Sequence, residues 1–486
     1  MEHSVSAQFY FHHKLLLRNQ YLSFLLIISI FQFCFSAHAS DTKQAFINAN
    51  IIDVRTGELT KNAVIYVDRG KIAAIEQNSA AEDLSRGYVI IDVKGGFVVP
   101  GLWDSHIHLG DSVEESRENA LRLLAKGITQ TRDMGRSVKS LKSYKQAEQQ
   151  GKLSGLPHVI NAGPLIDGSM NTWYGDLQYV IEDEGTVANK LASIKRSGAD
   201  FIKVYQDLSE PVYQKILIEA DKLELDVHGH VPSRVGIEAL VSGSQKTIEH
   251  LDISAFQTCS PNGRELYGKA LNAKFGEGYS AYYQVMIAFW QSIDWQSCGQ
   301  ALRKFAERGG ALNPSLIMET FDHKLVGEKV LKEMHNEDWL GKSWCMQQLA
   351  GVERADKRLR QQYLAEIKKA LSKIKGYGVI ILAGSDSPNY CNIAGDSLLW
   401  ELHRLNEFGL TNLEVLQSAT INPAKVFKMP ESTEIRVGSA ANFIVLNENP
   451  LATVKAYSAL RGTYFDSRWR QAFGDKITRN SIKSGI

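Results

Sequence analysis

The chain has 486 residues, of which 44% are hydrophobic and 22% are charged, and its 55 Lys and Arg residues nearly balance its 54 Asp and Glu residues. This is the usage of a folded globular protein, and it excludes a disordered, fibrous or multi-spanning chain. With a net charge of +1 and no long run of basic residues, the chain lacks the positively charged surface that binds nucleic-acid phosphates, so we expect no nucleic-acid partner.

The first 39 residues have the three zones of a secretory signal peptide. Lys14 and Arg18 precede an apolar run at 21–35, and small residues follow up to Ala39. We expect cleavage after Ala39 and a periplasmic mature protein. The alternative is an uncleaved membrane anchor, but an apolar run of about 15 residues is shorter than the roughly 20 that a spanning helix needs. We therefore predict no stable membrane anchor after cleavage.

Four cysteines follow the signal, and export would place them in an oxidising compartment. Cys259 and Cys298 both lie in a long irregular insertion, residues 256–300, which favours a disulfide between them and leaves Cys345 to pair with Cys391. Four free thiols are an equally open alternative, because sequence does not report the geometry that a disulfide needs. The insertion is rich in Tyr and Trp and could form a lid or a subunit contact, so a homo-oligomer is left open.

Strand-like segments separated by turns come first in the mature chain. They lie at 44–53, 63–68, 71–75 and 88–92 and predict a small antiparallel sheet. From Phe97 the pattern changes to short apolar runs separated by helical stretches, which is typical of a parallel sheet. The eight candidate strands are residues 97–108, 128–134, 158–165, 200–205, 225–230, 246–251, 311–316 and 379–386. Eight such units predict a (β/α)8 TIM barrel with its active site at the carboxyl ends of the strands.

Potential metal ligands cluster at the ends of the predicted strands. Two residues that are two apart in a strand face the same side, so a His-x-His pair can offer both imidazoles to one metal ion. One such pair is weak evidence. However, five of the nine histidines that remain after residue 39 fall at three strand ends. The cluster consists of the pairs His106/His108 and His228/His230, together with His250 and Asp386.

Lys203 lies in an apolar strand, where alternation places it on the same face as Phe201 and Tyr205. A lysine there is either desolvated, with a lowered pKa, or close to a neutralising group. At the rim of a barrel it could instead extend to water. A neutral amine could take up carbon dioxide and become an anionic carbamate that holds two cations.

Taken in order, these motifs resemble those of the amidohydrolase superfamily of metal-dependent hydrolases, over essentially the whole mature chain. The segments that carry the resemblance are residues 100–108 (PGLWDSHIH), 202–204, 227–230, 244–250, 383–386 (AGSD), 419–424 and 438–450. Within the superfamily, the motif sequences are most similar to those of the imidazolonepropionase-like and the Xaa-Pro or Xaa-Arg dipeptidase-like groups.

The resemblance implies a division of the chain into four parts. Residues 1–39 would be the signal peptide and 97–424 the metal-dependent hydrolase barrel. Residues 40–96 and 425–486 would form the two parts of a composite β-sandwich, since strand-like patterns return at 441–446 and 464–466.

The resemblance also implies a binuclear site, with zinc as the expected metal and manganese or cobalt left open. His106, His108 and Asp386 would bind one ion and His228 and His250 the other, with carboxylated Lys203 and a hydroxide bridging the two. Asp386 would also carry the proton from the nucleophile to the leaving nitrogen.

The implied reaction is hydrolysis of the C–N amide bond of a small peptide, an N-acyl amino acid or a lactam. Substrate binding would fall to His230, to Tyr205 on the face of Lys203, and to Arg136 and Tyr174 in loops after strands. Asp104 could accept a hydrogen bond either from a ligand imidazole or from backbone N–H groups.

Two alternatives remain beside amide hydrolysis. One is a deaminase on the same fold, which would resemble mononuclear relatives with a glutamate near the fifth-strand histidine. This chain has Lys203 and no such glutamate after His230, which favours an amide substrate. The other is a barrel that has lost its metals, but all six expected ligand positions carry ligand residues.

Overall fold

The computed structural model describes residues 43–77, 87–169, 175–251, 253–321, 342–389, 391–429 and 433–472. The proposed signal peptide and Tyr174 therefore lie outside the described residues. No helix within those ranges is both long enough and apolar enough to cross a bilayer.

The described strands fall into a mixed sheet and three short parallel sheets. In chain order they are β1 (Lys43–Ile52), β2 (Leu59–Asp68), β3 (Lys71–Gln77), β4 (Tyr88–Asp92), β5 (Phe97–Pro100), β6 (Leu102–Ile107), β7 (Ile128–Asp133), β8 (His158–Asn161), β9 (Leu165–Asp167), β10 (Gln178–Val180), β11 (Ile202–Val204), β12 (Val227–Gly229), β13 (Thr247–Glu249), β14 (Ala311–Asn313), β15 (Ile380–Ile381), β16 (Phe443–Leu446), β17 (Leu460–Phe465) and β18 (Arg468–Gln471).

Helices connect the parallel strands, and several begin at a polar N-cap, for example Ser112 and Thr411. The described α-helices are α1 (Val113–Leu124), α2 (Val138–Gln149), α3 (Glu184–Arg196), α4 (Glu210–Lys222), α5 (Ala239–Ser242), α6 (Ile253–Phe256), α7 (Gly263–Asn272), α8 (Tyr279–Gln291), α9 (Trp295–Glu307), α10 (Leu316–Thr320), α11 (Lys342–Arg354), α12 (Lys357–Gly376), α13 (Asp396–Glu407), α14 (Asn412–Ser418) and α15 (Ile421–Val426).

The two ends of the chain share one eight-stranded sheet, in the order β18-β17-β16-β5-β1-β2-β3, with β4 also paired to β1. Its apolar face is centred on Phe46, whose ring lies 5.0 Å from Phe443 and 5.4 Å from Tyr464. The sheet is mixed, not antiparallel as expected, because β1 pairs in parallel with both β4 and β5. A two-layered sandwich stays a prediction.

The parallel strands form three arcs, β6-β7-β8, β10-β9-β11-β12 and β13-β14-β15. Backbone contacts connect neighbouring arcs. Among them, Ile107 bridges Ser387, Val227 bridges Gln245, and the Asp200 N–H donates to Asn161 O at 2.8 Å. Each of the eight expected barrel strands has a counterpart among β6–β9 and β11–β15. The fold is therefore a TIM-barrel-like α/β fold, and complete closure of the barrel stays a prediction.

The first expected barrel strand, residues 97–108, is divided in two. Gly101 separates β5, in the mixed sheet, from β6, in the parallel set. A Cβ at Gly101 would lie 2.2 Å from Thr129 Oγ1 and 2.3 Å from Asn442 Oδ1, so only glycine fits where the chain passes between the two sheets.

Both favoured disulfides are present, Cys259–Cys298 and Cys345–Cys391. The insertion at 256–300 is helical, not irregular, since α7, α8 and the first turns of α9 lie in it. Its aromatic side chains pack inward: the Tyr283 ring is buried and stacks on Tyr363 with a centroid separation of 5.1 Å.

Candidate metal centre

Three potential ligands converge at the carboxyl ends of β6 and β15. One ligand atom from each of His106, His108 and Asp386 lies within 4.8 Å of the others. The Asp386 Oδ1 atom is 3.4 Å from His106 Nε2 and 3.1 Å from His108 Nε2. His106 is fully buried, whereas the His108 side chain is 31% exposed, so the cluster opens to solvent on one side.

His250 extends this cluster from the end of β13. Its ring centroid lies 4.8 Å from that of His106, and its Nε2 atom is 4.0 Å from Asp386 Oδ2. Burial lowers the pKa of His250 to about 4 and that of His106 well below its usual range. Both imidazoles are therefore neutral near pH 7, which is the form that binds metal.

The cluster has the chemistry of a cation site. The buried atoms His106 Nε2 and His250 Nδ1 make no hydrogen bond to any residue that the structure describes. Buried polar atoms without a partner are rare, and an ion or a water is the usual explanation. Two imidazoles and a carboxylate are donors that suit zinc, so these residues fit a divalent cation.

Asp386 is held in place by its own loop. Its backbone is left-handed, with φ of +53°, and Asn389 Nδ2 donates to Asp386 Oδ2 at 2.9 Å. Burial by itself would raise the pKa of Asp386, but His106, His108 and His250 outweigh burial and hold it below its usual range. The carboxylate therefore stays anionic and faces three imidazoles.

Gly384 allows this loop to approach β6. A Cβ on Gly384 would lie 2.8 Å from the His106 backbone nitrogen, so a side chain there would displace the strand. Asp104 joins the same two segments by accepting from the backbone N–H and the hydroxyl of Ser385 at 2.9 and 2.6 Å. Of its two expected roles, Asp104 therefore takes the one toward backbone groups and does not contact a ligand imidazole.

Lys203 is buried on β11, with 2% of its surface exposed. Its Nζ atom lies 5.6 Å from the centroid of the Tyr205 ring, and it makes no ion pair with a described carboxylate. Burial lowers the pKa of Lys203 to about 8. The amine is therefore much more often neutral than an exposed lysine is, which is the form that reacts with carbon dioxide.

The two histidines near the end of β12 lie in different surroundings. The His230 ring is 5.0 Å from His250 and 4.3 Å from Tyr205, whereas the His228 ring is 4.9 Å from Phe201. His228 is buried, and its Nδ1 atom lies 3.1 Å from Thr247 Oγ1. In the structure His230, and not His228, lies beside the other candidate ligands. Which of the two histidines binds metal stays a prediction.

Residues 97–469 match the Amidohydrolase family, which is more than three quarters of the chain. The chain belongs to this family. It is therefore a hydrolase of the amidohydrolase type, as the resemblance of its motifs predicted.

Solved structures share the amidohydrolase fold with this chain at low identity. A bottromycin amidohydrolase superposes with a TM-score of 0.69, at 19% identity, over 89% of this chain and 88% of its own. A prolidase in complex with N-methylphosphonate-L-proline superposes with a TM-score of 0.60, at 18% identity, over 88% of this chain and 100% of its own.

Curated relatives match a shorter stretch. An adenine deaminase of Kosmotoga olearia is 39% identical over 82 residues, which is 17% of this chain. The matched stretch covers only 13% of that deaminase, so the chain aligns with about an eighth of its length.

The structure shows the surroundings of Arg136 and Tyr205, two of the residues expected to bind substrate in this amidohydrolase. Arg136 is 1% exposed, pairs with Asp133 at 2.6 Å and donates to Ser116 Oγ at 2.9 Å and to Gly110 O. These contacts direct its guanidinium into the protein interior, and its expected contact with a substrate carboxylate stays a prediction. Tyr205 is half-buried beside His230 and remains near the candidate ligands.

The amidohydrolase site contains polar residues that the sequence analysis missed. Glu249, Arg132 and Asn313 are fully buried in the barrel interior next to His106, and Asn389 contacts Asp386. Alternation on β13 could have indicated Glu249, since it shares a face with Thr247. Nothing in the sequence distinguishes Arg132 or Asn389 from an ordinary strand or loop residue.

Proposed function

We propose that the chain is an exported, metal-dependent amidohydrolase that hydrolyses the C–N amide bond of a small peptide, an N-acyl amino acid or a lactam. The observation that carries the proposal is the convergence of His106, His108 and Asp386 within 4.8 Å. Family membership supports hydrolysis, and the fold shared with a prolidase favours a small amide substrate.

In this proposal the site would bind two divalent ions, expected to be zinc. His106, His108 and Asp386 would hold one ion and His230 and His250 the other, and Lys203 as its carbamate would provide a further ligand. Bound divalent ions acidify water to a pKa near neutrality and polarise a carbonyl oxygen, which is the chemistry that amide hydrolysis needs.

The residues of the chain would orient the substrate and move the proton. Asp386 is anionic, so its Oδ2 atom can accept a proton from the attacking water and return it to the leaving nitrogen. Asn389 donates to that same oxygen at 2.9 Å and would keep it directed toward the substrate. Tyr205 borders the open side beside His230 and would contact the acyl or amine portion of the substrate.

The experiment is metal analysis of the purified protein followed by assay against dipeptides with varied C-terminal residues, N-acyl amino acids and lactams in added zinc. We expect about two metal ions per chain and release of a free amino acid or amine. Full loading with metal and no hydrolysis of any amide in the panel would contradict the proposed substrate class.

A deaminase is the second candidate, because the curated relatives that match part of the chain include an adenine deaminase. Deamination of an aminopurine releases ammonia, whereas hydrolysis of the proposed amides releases an amino acid or an amine. Incubation with adenine and related aminopurines, with ammonia as the readout, separates them. We expect no ammonia, since the site residues follow the binuclear pattern with Lys203.

Export is supported by the signal-like residues 1–39 and by the two disulfides, which persist in oxidising compartments. Mass spectrometry of the protein recovered from the periplasm of an expressing bacterium would measure the new N-terminus. We expect Ser40 as the first residue. An intact N-terminus in the membrane fraction would instead indicate an uncleaved anchor.

A further inference from the structure

A fully buried polar layer lies next to the candidate ligands in the barrel interior. At its centre is Glu249 on β13, and the Glu249 side chain has no exposed surface. One carboxylate oxygen, Oε2, lies 2.8 Å from His106 Nδ1. The other oxygen, Oε1, lies 2.6 Å from the Arg132 guanidinium.

Arg132 fixes the orientation of this carboxylate. Its guanidinium donates to Ser105 O at 2.6 Å and to Thr247 Oγ1 at 3.2 Å, and it lies 4.6 Å from the ring centroid of Phe427. A guanidinium has only donors, so an acceptor must face it. Glu249 Oε1 is that acceptor, and the carboxylate has little freedom to rotate.

The remaining oxygen determines which nitrogen of His106 carries the proton. A carboxylate only accepts hydrogen bonds, so the Nδ1 atom facing Oε2 must carry the hydrogen. In a neutral imidazole the other nitrogen, Nε2, then has the free lone pair. That nitrogen lies on the side of Asp386, 3.4 Å from Oδ1.

We propose that Glu249, held by Arg132, is a positioning residue that fixes the tautomer and ring orientation of His106 so that Nε2 is available to a metal ion. The proposal deepens the proposed function and rests on it for the identity of the ligand at Nε2. Carboxylates that hydrogen-bond a metal-binding histidine in this way raise its metal affinity.

Glu249→Gln tests the proposal at nearly constant volume. The amide has one oxygen, which the Arg132 guanidinium requires, so its NH₂ group would take the place of Oε2 and face both His106 Nδ1 and the side-chain amide of Asn313. The imidazole would then accept at Nδ1 and carry its proton on Nε2. Glu401→Gln is the matched control, because Glu401 is also fully buried but accepts from the backbone N–H groups of Leu316 and Ile317.

Two readouts apply, the tautomer of His106 and the zinc affinity. The tautomer is read from ¹⁵N chemical shifts of labelled histidine side chains in the metal-free protein, with His106→Asn to assign the signal. Zinc affinity is measured by competition with a chelator. We expect the Nδ1–H form in the parent protein, the Nε2–H form in E249Q, and a zinc affinity about 10- to 100-fold weaker in E249Q alone.

Each outcome decides the proposal. An Nε2–H tautomer in the metal-free parent protein overturns it, even if E249Q fails to fold. Equal loss of zinc affinity in E249Q and E401Q also overturns it, because the effect would then come from buried carboxylates in general. A parent protein with the Nδ1–H form that binds no zinc would contradict the proposed function while leaving the positioning by Glu249 intact.

Discussion

The rings of His230 and His250 lie 5.0 Å apart at the ends of adjacent strands, whereas His228, two residues before His230, packs 4.9 Å from Phe201. Side chains two apart in a strand share a face but differ in depth along the barrel. In this chain both are buried, but His228 lies among Phe201 and Phe427, whereas His230 lies beside Tyr205 and His250. His230 is therefore the histidine of this strand that we propose as a metal ligand beside His250.

His230→Asn should therefore lower zinc content by roughly one ion per chain and abolish most activity, since one of few ligands is lost. His228→Asn is the matched control on the same strand. It should keep both ions and lose stability instead, because it removes a ring packed on Phe201. Metal analysis and thermal unfolding of both variants measure these effects. Loss of metal in the His228 variant alone would restore the assignment expected from the sequence.

Lys203 should acquire carbon dioxide more readily than an exposed lysine. Its pKa is lowered to about 8 by burial, so its neutral fraction falls from about nine tenths at pH 9 to about one tenth at pH 7. At a fixed concentration of dissolved carbon dioxide, we expect the rate of carbamate formation to fall roughly tenfold over that range. Incubation of metal-free protein with ¹³C-bicarbonate, followed by ¹³C NMR, measures it. Lys203→Ala should show no carbamate signal and should lose the bound metal.

A pH-independent rate of carbamate formation would indicate that Lys203 is protonated to the same extent throughout. A Lys203→Ala protein that keeps two ions and its full rate would contradict the carbamate itself. Tyr205→Phe serves as the control, because it leaves the amine in place while changing the ring 5.6 Å from Nζ. It should alter KM for substrates more than metal content.

Part of the ligand cluster could be predicted from the sequence, namely the residues whose position follows from the pattern of their own strand. His106 and His108 follow from strand alternation, and Asp386 follows from its place after the last strand. Strand alternation does not give the surroundings of a side chain along the barrel, so it could not predict that His230, and not His228, lies beside His250. It also does not reveal Arg136 as an interior residue, since its partners Ser116 and Gly110 come from another loop and helix.

In the fold, too, features set by local sequence could be predicted, whereas features set by contacts between distant segments could not. The alternation of apolar runs and helical stretches predicted a counterpart for each of the eight expected barrel strands, but it did not predict β10, which pairs in parallel with β9. It did not predict that residues 97–108 divide at Gly101, because the reason is a close approach of Thr129 and Asn442 from distant segments. The parallel pairing of β1 with β4 and β5 is likewise set by packing between distant segments and not by the strand pattern itself.

Glu401 should make the stability of the protein depend on pH. Burial raises its pKa to about 8, well above the value in an unfolded chain. A raised carboxyl pKa contributes stability that is fully present below about pH 4 and is lost as the pH rises through about 8. Glu401→Gln should remove this dependence. As the pH rises from 4 to 8, the unfolding free energy of the parent protein should therefore fall relative to that of the variant. Urea unfolding at several pH values measures it, and a constant difference would show that Glu401 is ionised in the folded protein.

The disulfide Cys345–Cys391 should affect the site as well as stability. Cys391 lies two residues after Asn389, which donates to Asp386, and the bond ties this loop to α11. Replacing both cysteines by serine should lower the unfolding free energy by about 4 kcal/mol in the chain-entropy model, for a loop closed over 46 residues.

The pair Cys259 and Cys298 is a matched control, since it closes a loop of similar length, 39 residues, away from Asp386. Its double serine variant should lose a similar amount of stability, again about 4 kcal/mol. The zinc affinity should distinguish the two double serine variants. We expect it to weaken in Cys345→Ser/Cys391→Ser and to stay unchanged in Cys259→Ser/Cys298→Ser, because only the former releases the loop that orients Asp386. Equal zinc affinities in folded samples of both variants would mean that Asn389 and the left-handed turn at Asp386 hold the carboxylate without help from the disulfide.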